Sequence, residues 1–135
     1  MAVEMELSRI LIRELNDYQL IELREMDGDR AFPIVIGLPE AQAIERRLQG
    51  KEIKRPQTHD LLANVLESLG ARLLSITITD LSDHTFYATL DVQRGDGETL
   101  HIDSRPSDAI ALGVAGGVPI YVEEHVLEEA QNEEV

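Results

Sequence analysis

The sequence predicts an α+β domain, a mainly antiparallel mixed sheet with a helical hairpin and two further helices in a single compact domain. Two observations lead there. Strand-like and helix-like segments follow in the order β-β-β-α-α-β-β-β-α-β-α, without the regular alternation of a doubly wound sheet. The 135 residues run without a repeat or low-complexity linker, which suits one core of ordinary size. Residues 1–123 are read as the body of the domain and 124–135 as its final acidic helix and tail.

The apolar runs MELSRILIREL (5–15) and YQLIELRE (18–25) read as strands broken at Asn16-Asp17. A third, AFPIVIG (31–37), follows Asp27-Gly28, a two-residue hairpin signal that asks for positive φ at both positions. That register sets Leu23 opposite Phe32, Ile21 opposite Ile34 and Glu25 opposite Arg30. LPEAQAIERRLQG (38–50) is a helix with Pro39 in its first turn and Gly50 after its last. THDLLANVLESLG (58–70) is a second, with Thr58 as N-cap, Asp60 in the first turn, and an apolar stripe through Leu61, Leu62, Val65, Leu66 and Leu69.

RLLSITITDL (72–81) and HTFYATLDVQR (84–94) alternate as half-buried strands, with Ile76 and Ile78 in the first and Phe86, Ala88, Leu90 and Val92 in the second facing inward. A two-residue turn after Arg94 would put His101 beside Val92, against the apolar pattern. A three-residue loop, Gly95-Asp96-Gly97, instead pairs Val92 with Leu100 and Leu90 with Ile102. On the polar face it sets Asp91 across from His101 and Thr89 across from Asp103. A helix from about Pro106, a short strand VPIYV (118–122) able to make one parallel pair, and an amphipathic helix near EEHVLEEA complete the chain.

Composition narrows the chemistry. There is no cysteine, so disulfides, thiolate nucleophiles and thiolate metal sites are excluded, and a reducing cytoplasm is the expected compartment. No export signal is visible, and the longest uncharged apolar stretch, 109–122, is 14 residues interrupted by Pro119, too short for a bilayer span. No membrane association is expected. The net charge of −14 opposes unaided binding to a polyanion, but the charge is uneven. Six of the 26 acidic residues lie in the final 13 positions, while Arg46, Arg47, Lys51, Lys54 and Arg55 form a basic cluster relieved only by Glu52. No nucleophile elbow, phosphate-binding Walker loop or dinucleotide fingerprint is present.

What remains is a constellation of oxygen and imidazole groups. Asp91, His101 and Asp103 share one strand face, and Arg105 and Asp108 follow at the helix start, where an ion pair between them would fix the turn. Such a set suits Mg²⁺ or Mn²⁺, with Asp103 and Asp108 as ligands and Asp91 and His101 as further candidates. Arg105 is placed to grip a phosphate beside the helix N-terminus. His59 and Asp60 open the second helix and complete the site if that block folds over this one.

The blocks RPQTHDLL (55–62) and HIDSRPSDAIALGVAGGVPIYVEEHVL (101–127) resemble the bifunctional nuclease family of bacteria and plants, with DSRPSDAIAL (103–112) as the specific match. The likeness spans about residues 3–130. The resemblance implies a compact α+β fold, hydrolysis of RNA and DNA with a divalent metal, and a homo-oligomer, in the first place a dimer. The motif positions that carry over are Arg55, Pro56, Thr58, His59 and Asp60, with Asp103, Ser104, Arg105, Pro106, Ser107 and Asp108. On this reading Asp103, Arg105, Asp108, His59 and Asp60 form the catalytic set. Arg46, Arg47, Lys51, Lys54, Arg55, Ser104 and Ser107 would bind the substrate. The rival reading is a non-catalytic oligomeric binding or regulatory module whose motifs are structural.

Overall fold

The computed structural model describes residues 1–132; the last three positions of the acidic tail, 133–135, lie outside the described residues. The elements are β1 (Ala2–Leu11), β2 (Gln19–Glu25), β3 (Ala31–Ile36), α1 (Leu38–Gln49), α2 (Thr58–Ser68), β4 (Arg72–Ser82), β5 (Thr85–Gln93), β6 (Thr99–Ser104), α3 (Pro106–Gly113), β7 (Ile120–Glu123) and α4 (Glu124–Asn132). The strands form one seven-stranded mixed sheet in the order β3-β2-β1-β7-β4-β5-β6. The β4–β7 pair is parallel, as the sequence allowed, and the other pairs are antiparallel.

Both hairpin registers follow the apolar pattern. Leu23 faces Phe32 and Ile21 faces Ile34, while Val92 faces Leu100, Leu90 faces Ile102, Asp91 faces His101 and Thr89 faces Asp103. The first turn differs from expectation. The bond from Glu25 N–H to the Arg30 carbonyl, 2.9 Å, closes a four-residue loop, because Met26 N–H turns away to Glu4 of β1 at 3.1 Å. Neither Asp27 nor Gly28 needs positive φ there.

Register shifts at Leu7/Arg9 in β1 and at Leu73/Ser75 and Ile78/Asp80 in β4 bend the sheet, since a bulge adds local twist to the strand that carries it. The two ends of the sheet therefore approach one another. Phe32 of β3 and Phe86 of β5 stack with ring centroids 5.4 Å apart, although they stand on the first and sixth strands of the order. α1 lies against β2, and α3 against β4 and β5, with Ala41, Ile44, Ala109 and Ile110 fully buried. Gly113 permits this close approach: a Cβ there would come within 2.6 Å of Ile76 Cδ1. Gly117, four residues on, stands in open space at φ 65 in the turn that leaves the helix.

α1 ends at left-handed Gly50, as its sequence indicates. α2 departs from expectation in two ways. Its N-cap is Gln57, which exchanges capping-box bonds with Asp60, so Thr58 is already helical. Its apolar stripe is not core: Leu61, Leu62, Val65 and Leu69 are exposed, and Leu66 packs partly against the core. α2 rests mainly on α3, with a smaller contact to β4. α4 buries Val126 and Leu127 and is tied to the first hairpin by the Arg30–Glu124 ion pair at 2.7 Å.

Candidate active site

Three chain segments meet at the N-terminal end of α3. β6 runs out at Ser104, Arg105 takes an extended conformation, and Pro106 opens the helix with its φ already suited to a first turn. Asp108 therefore stands in the first turn of α3, within reach of the first turn of α2. Its Oδ1 lies 2.9 Å from His59 Nε2, and its Oδ2 accepts from Arg105 Nε at 2.9 Å. One carboxylate thus orients an imidazole and a guanidinium at once. Arg105 also lies 3.6 Å from Glu40 of α1 and keeps 62 % of its side chain exposed.

The electrostatics follow from these contacts. Burial alone would raise the Asp108 carboxyl, but hydrogen bonds from Arg105 and His59 outweigh it and hold its pKa below the ordinary carboxylate value. The Asp108 hydrogen bond in turn raises Arg105. Asp108 is thus a fixed anion at neutral pH. Nε2 of His59 is turned to this carboxylate, and Nδ1 makes no hydrogen bond among the described residues.

Asp60 sits one residue beyond His59 but faces another way. Its carboxylate accepts from Arg46 at 3.0 Å, from Arg47, and from the Gln57 backbone N–H at 2.9 Å. Arg47 continues into the Ala111 and Leu112 carbonyls at the end of α3, where a cation also complements the helix dipole. This corrects three expectations together. Asp60 is the clasp between α1, α2 and α3, and Arg46 and Arg47, at 19 % and 9 % exposure, are consumed by it rather than offered to a substrate. Lys51, Lys54 and Arg55 remain exposed and form no ion pair among the described residues.

The sheet separates the other predicted residues. Asp91 is buried at 7 % exposure on the face opposite α3, where it accepts from Ser75, Thr77, Thr89 and His101 at 2.6–2.9 Å. Burial raises its pKa, but these four bonds more than offset that and leave it lowered. Asp103, opposite Thr89, lies on this same far face. It has no hydrogen-bond or ion-pair partner among the described residues. The expected joint binding of one ion by Asp103 and Asp108 is therefore not formed: the chain turns from strand to helix between them and carries their side chains to opposite sides.

A resident divalent ion does not fit these groups. Asp91 and Asp108 spend both oxygens on protein donors, and no three His, Asp or Glu side chains converge among the described residues. Ser104 donates to the Arg105 carbonyl at 2.8 Å. Ser107 is 5 % exposed and lines a cleft of about 740 Å³ that runs from Arg105 to β3.

The sequence reading missed that cleft. His84 lines it from the tip of the β4–β5 turn, alongside Glu40 and Tyr18. Both turn residues, Asp83 and His84, have positive φ. A two-residue connection between alternating strands was the available signal.

Comparison with known proteins agrees with this picture at the level of the family. Residues 21–134 match the bifunctional nuclease domain. An uncharacterized protein of Mycobacterium tuberculosis is 42 % identical over 127 residues, covering 94 % of this chain and 75 % of the relative. Bifunctional nuclease 1 of Oryza sativa subsp. japonica is 25 % identical over 118 residues; the match takes in 85 % of this chain and 36 % of the plant protein. A bifunctional nuclease of Oryza minuta matches to the same extent.

Proposed function

This chain belongs to the bifunctional nuclease domain family, and on that premise we propose that it hydrolyses phosphodiester bonds of RNA or DNA at the corner formed by His59, Asp108 and Arg105. The observation that carries the proposal is the shared carboxylate, with His59 Nε2 and Arg105 Nε each 2.9 Å from one oxygen of Asp108. Residues from two segments far apart in the chain are brought together where a solvated cation adjoins a cleft.

In this mechanism Arg105 receives the scissile phosphate, and its bidentate N–H groups stabilise the charge that builds on the non-bridging oxygens. His59 Nδ1 takes a proton from the attacking water as its oxygen bonds to phosphorus, the bridging P–O bond opposite breaks and solvent protonates the leaving oxygen, while Asp108 keeps the ring oriented and favours the imidazolium that forms. Lys51, Lys54 and Arg55 attract the flanking backbone locally on a chain of net charge −14. Because no three His, Asp or Glu side chains converge among the described residues, no step is routed through a metal. Purified wild-type protein should cleave a fluorescent oligonucleotide with EDTA present, and Arg105→Ala should lower kcat/KM by roughly 100-fold. Cleavage by Arg105→Ala at the wild-type rate would remove the guanidinium from the mechanism.

The chain acts, in this reading, as a homodimer in the cytoplasm. Its proposed interface is the exposed stripe of α2, Leu61, Leu62, Val65 and Leu69. This stripe is an uncharged surface on a strongly anionic molecule, so it is where two copies repel least. Sedimentation velocity should show a dimer for wild type and a monomer for Val65→Glu; a monomeric wild type would refute the interface.

A further inference from the structure

We propose that the cleft beside Arg105 is the seat of one nucleotide of a single-stranded chain, with the base against its apolar wall and the phosphate at the α3 end. The inference rests on the hydrolase reading and specifies its substrate. Curling of the sheet makes the cleft, for it lies where the outer edge of β3 approaches the β4–β5 turn and the start of α3. Its size, about 740 Å³, falls within the range of small-molecule sites.

The two ends of the cleft differ in chemistry. Tyr18, Pro33, Val35 and Phe86 form an apolar wall that includes two aromatic rings. Tyr18 and Val35 are exposed large side chains with no other cover among the described residues. Where α3 begins stand Arg105 and Ser107; the carboxylates of Asp17 and of Glu40, 3.6 Å from the guanidinium, also line the cleft. Ser107 as a residue is 5 % exposed, and its hydroxyl has no hydrogen-bond partner among the described residues. It is nevertheless not sealed off, so its opening is the cleft it lines. An unpartnered buried hydroxyl, an exposed guanidinium and the free N–H groups of a helix start together make an anion seat.

An apolar slot with one anion seat suits a base and its phosphate. A base in a duplex has both faces stacked and its edge paired, so it cannot enter without being extruded. A single strand offers its bases freely. Charge favours the same substrate class. The cleft itself offers one guanidinium and so one close phosphate contact, with Lys51, Lys54 and Arg55 attracting the flanking backbone, on a protein whose net charge of −14 opposes the long phosphate track by which duplex binders hold their target.

The test is an amide NMR titration of the full chain with adenosine 5′-monophosphate, with adenosine and inorganic phosphate as separate arms. The nucleotide should shift Val35, Phe86 and Ser107 together and bind at least about tenfold more tightly than either fragment. The affinity should fall as salt rises, because added ions screen the contact between the phosphate and Arg105. Val35→Glu, at an exposed position on an edge strand, should abolish nucleotide binding and the preference for single-stranded over duplex substrate. If phosphate alone reproduces the nucleotide's shifts and affinity, or the nucleotide leaves these amides unmoved, the cleft is not a nucleotide site. Cleavage by Val35→Glu at the wild-type rate and preference would overturn the cleft assignment and leave the hydrolase standing. Nucleotide binding without any phosphodiester cleavage would sustain the cleft and overturn the hydrolase.

Discussion

Asp108→Asn is expected to lower kcat by roughly 100- to 10,000-fold, the span over which positioned acid–base groups act, with little change in the folded structure. The substitution keeps the volume and one oxygen, but it removes the charge that both His59 and Arg105 approach at 2.9 Å. Asn cannot accept from two cationic donors with both terminal atoms, because one of them is now an NH₂. The imidazole then loses the partner that fixes its tautomer, and Arg105 loses its brace. Because the groups act as a unit, the double variant His59→Gln/Asp108→Asn should be little slower than the slower single variant. Strictly multiplicative losses would mean that the two side chains act independently. Far-ultraviolet circular dichroism and the urea midpoint, measured on the same samples, separate lost catalysis from lost folding.

Asp60→Asn should produce the largest loss of stability. Its carboxylate joins Arg46 and Arg47, which are mostly buried, and Arg47 holds two carbonyls at the end of α3. Removing the anion leaves two guanidiniums without their counter-charge in the space between three helices. Breaking a buried pair costs about 3–5 kcal/mol; the residual solvent access of Arg46 points to the lower end, about 3 kcal/mol, or a fall of roughly 10 °C in Tm. The pH dependence has a definite sign. Burial raises Asp60, but the Gln57 backbone N–H and the two arginines bring its pKa below the ordinary value. The stabilisation is therefore complete above the unfolded-state pKa, about 4, and is lost as pH falls through the lower folded value. Urea denaturation of wild type and Asp60→Asn between pH 7 and pH 3 should show a difference that narrows on acidification. A difference that stays constant, or is under about 0.5 kcal/mol at pH 7, would assign the clasp no energetic role.

Much of the sheet was legible because the rules involved are local. The β5–β6 register follows from choosing the loop length that keeps Leu90 and Val92 beside Ile102 and Leu100. The Arg105–Asp108 pair also lies within one helical turn. The stripe of α2 was legible as a stripe, yet periodicity reports only that a helix has an apolar face. It does not say what covers that face, and here α2 packs mainly on α3 with most of its stripe left exposed. Grouping Asp103 with Asp108 failed for a related reason. Alternation tracks a side chain along a strand, but the extended residue Arg105 and the turn into Pro106 reset that direction. His59 and Asp60 are neighbours in sequence and both looked like site residues. Successive helical positions point about 100° apart, so one meets Asp108 and the other the two arginines. The cleft depends on bulges in β1 and β4 that curl the sheet, and no short-range pattern announces them.

The central claim is that catalysis belongs to the corner on the helical side of the sheet and not to the carboxylate cluster on its far face. A side-by-side rate measurement on a single-stranded oligonucleotide, with wild type, His59→Gln and Asp103→Asn purified identically, tests it most directly. The predicted result is a loss of at least about 100-fold for His59→Gln, with Asp103→Asn within about twofold of wild type, as expected for an exposed residue with no partner among those described. Full activity in His59→Gln, or a collapse of activity in Asp103→Asn, would contradict it.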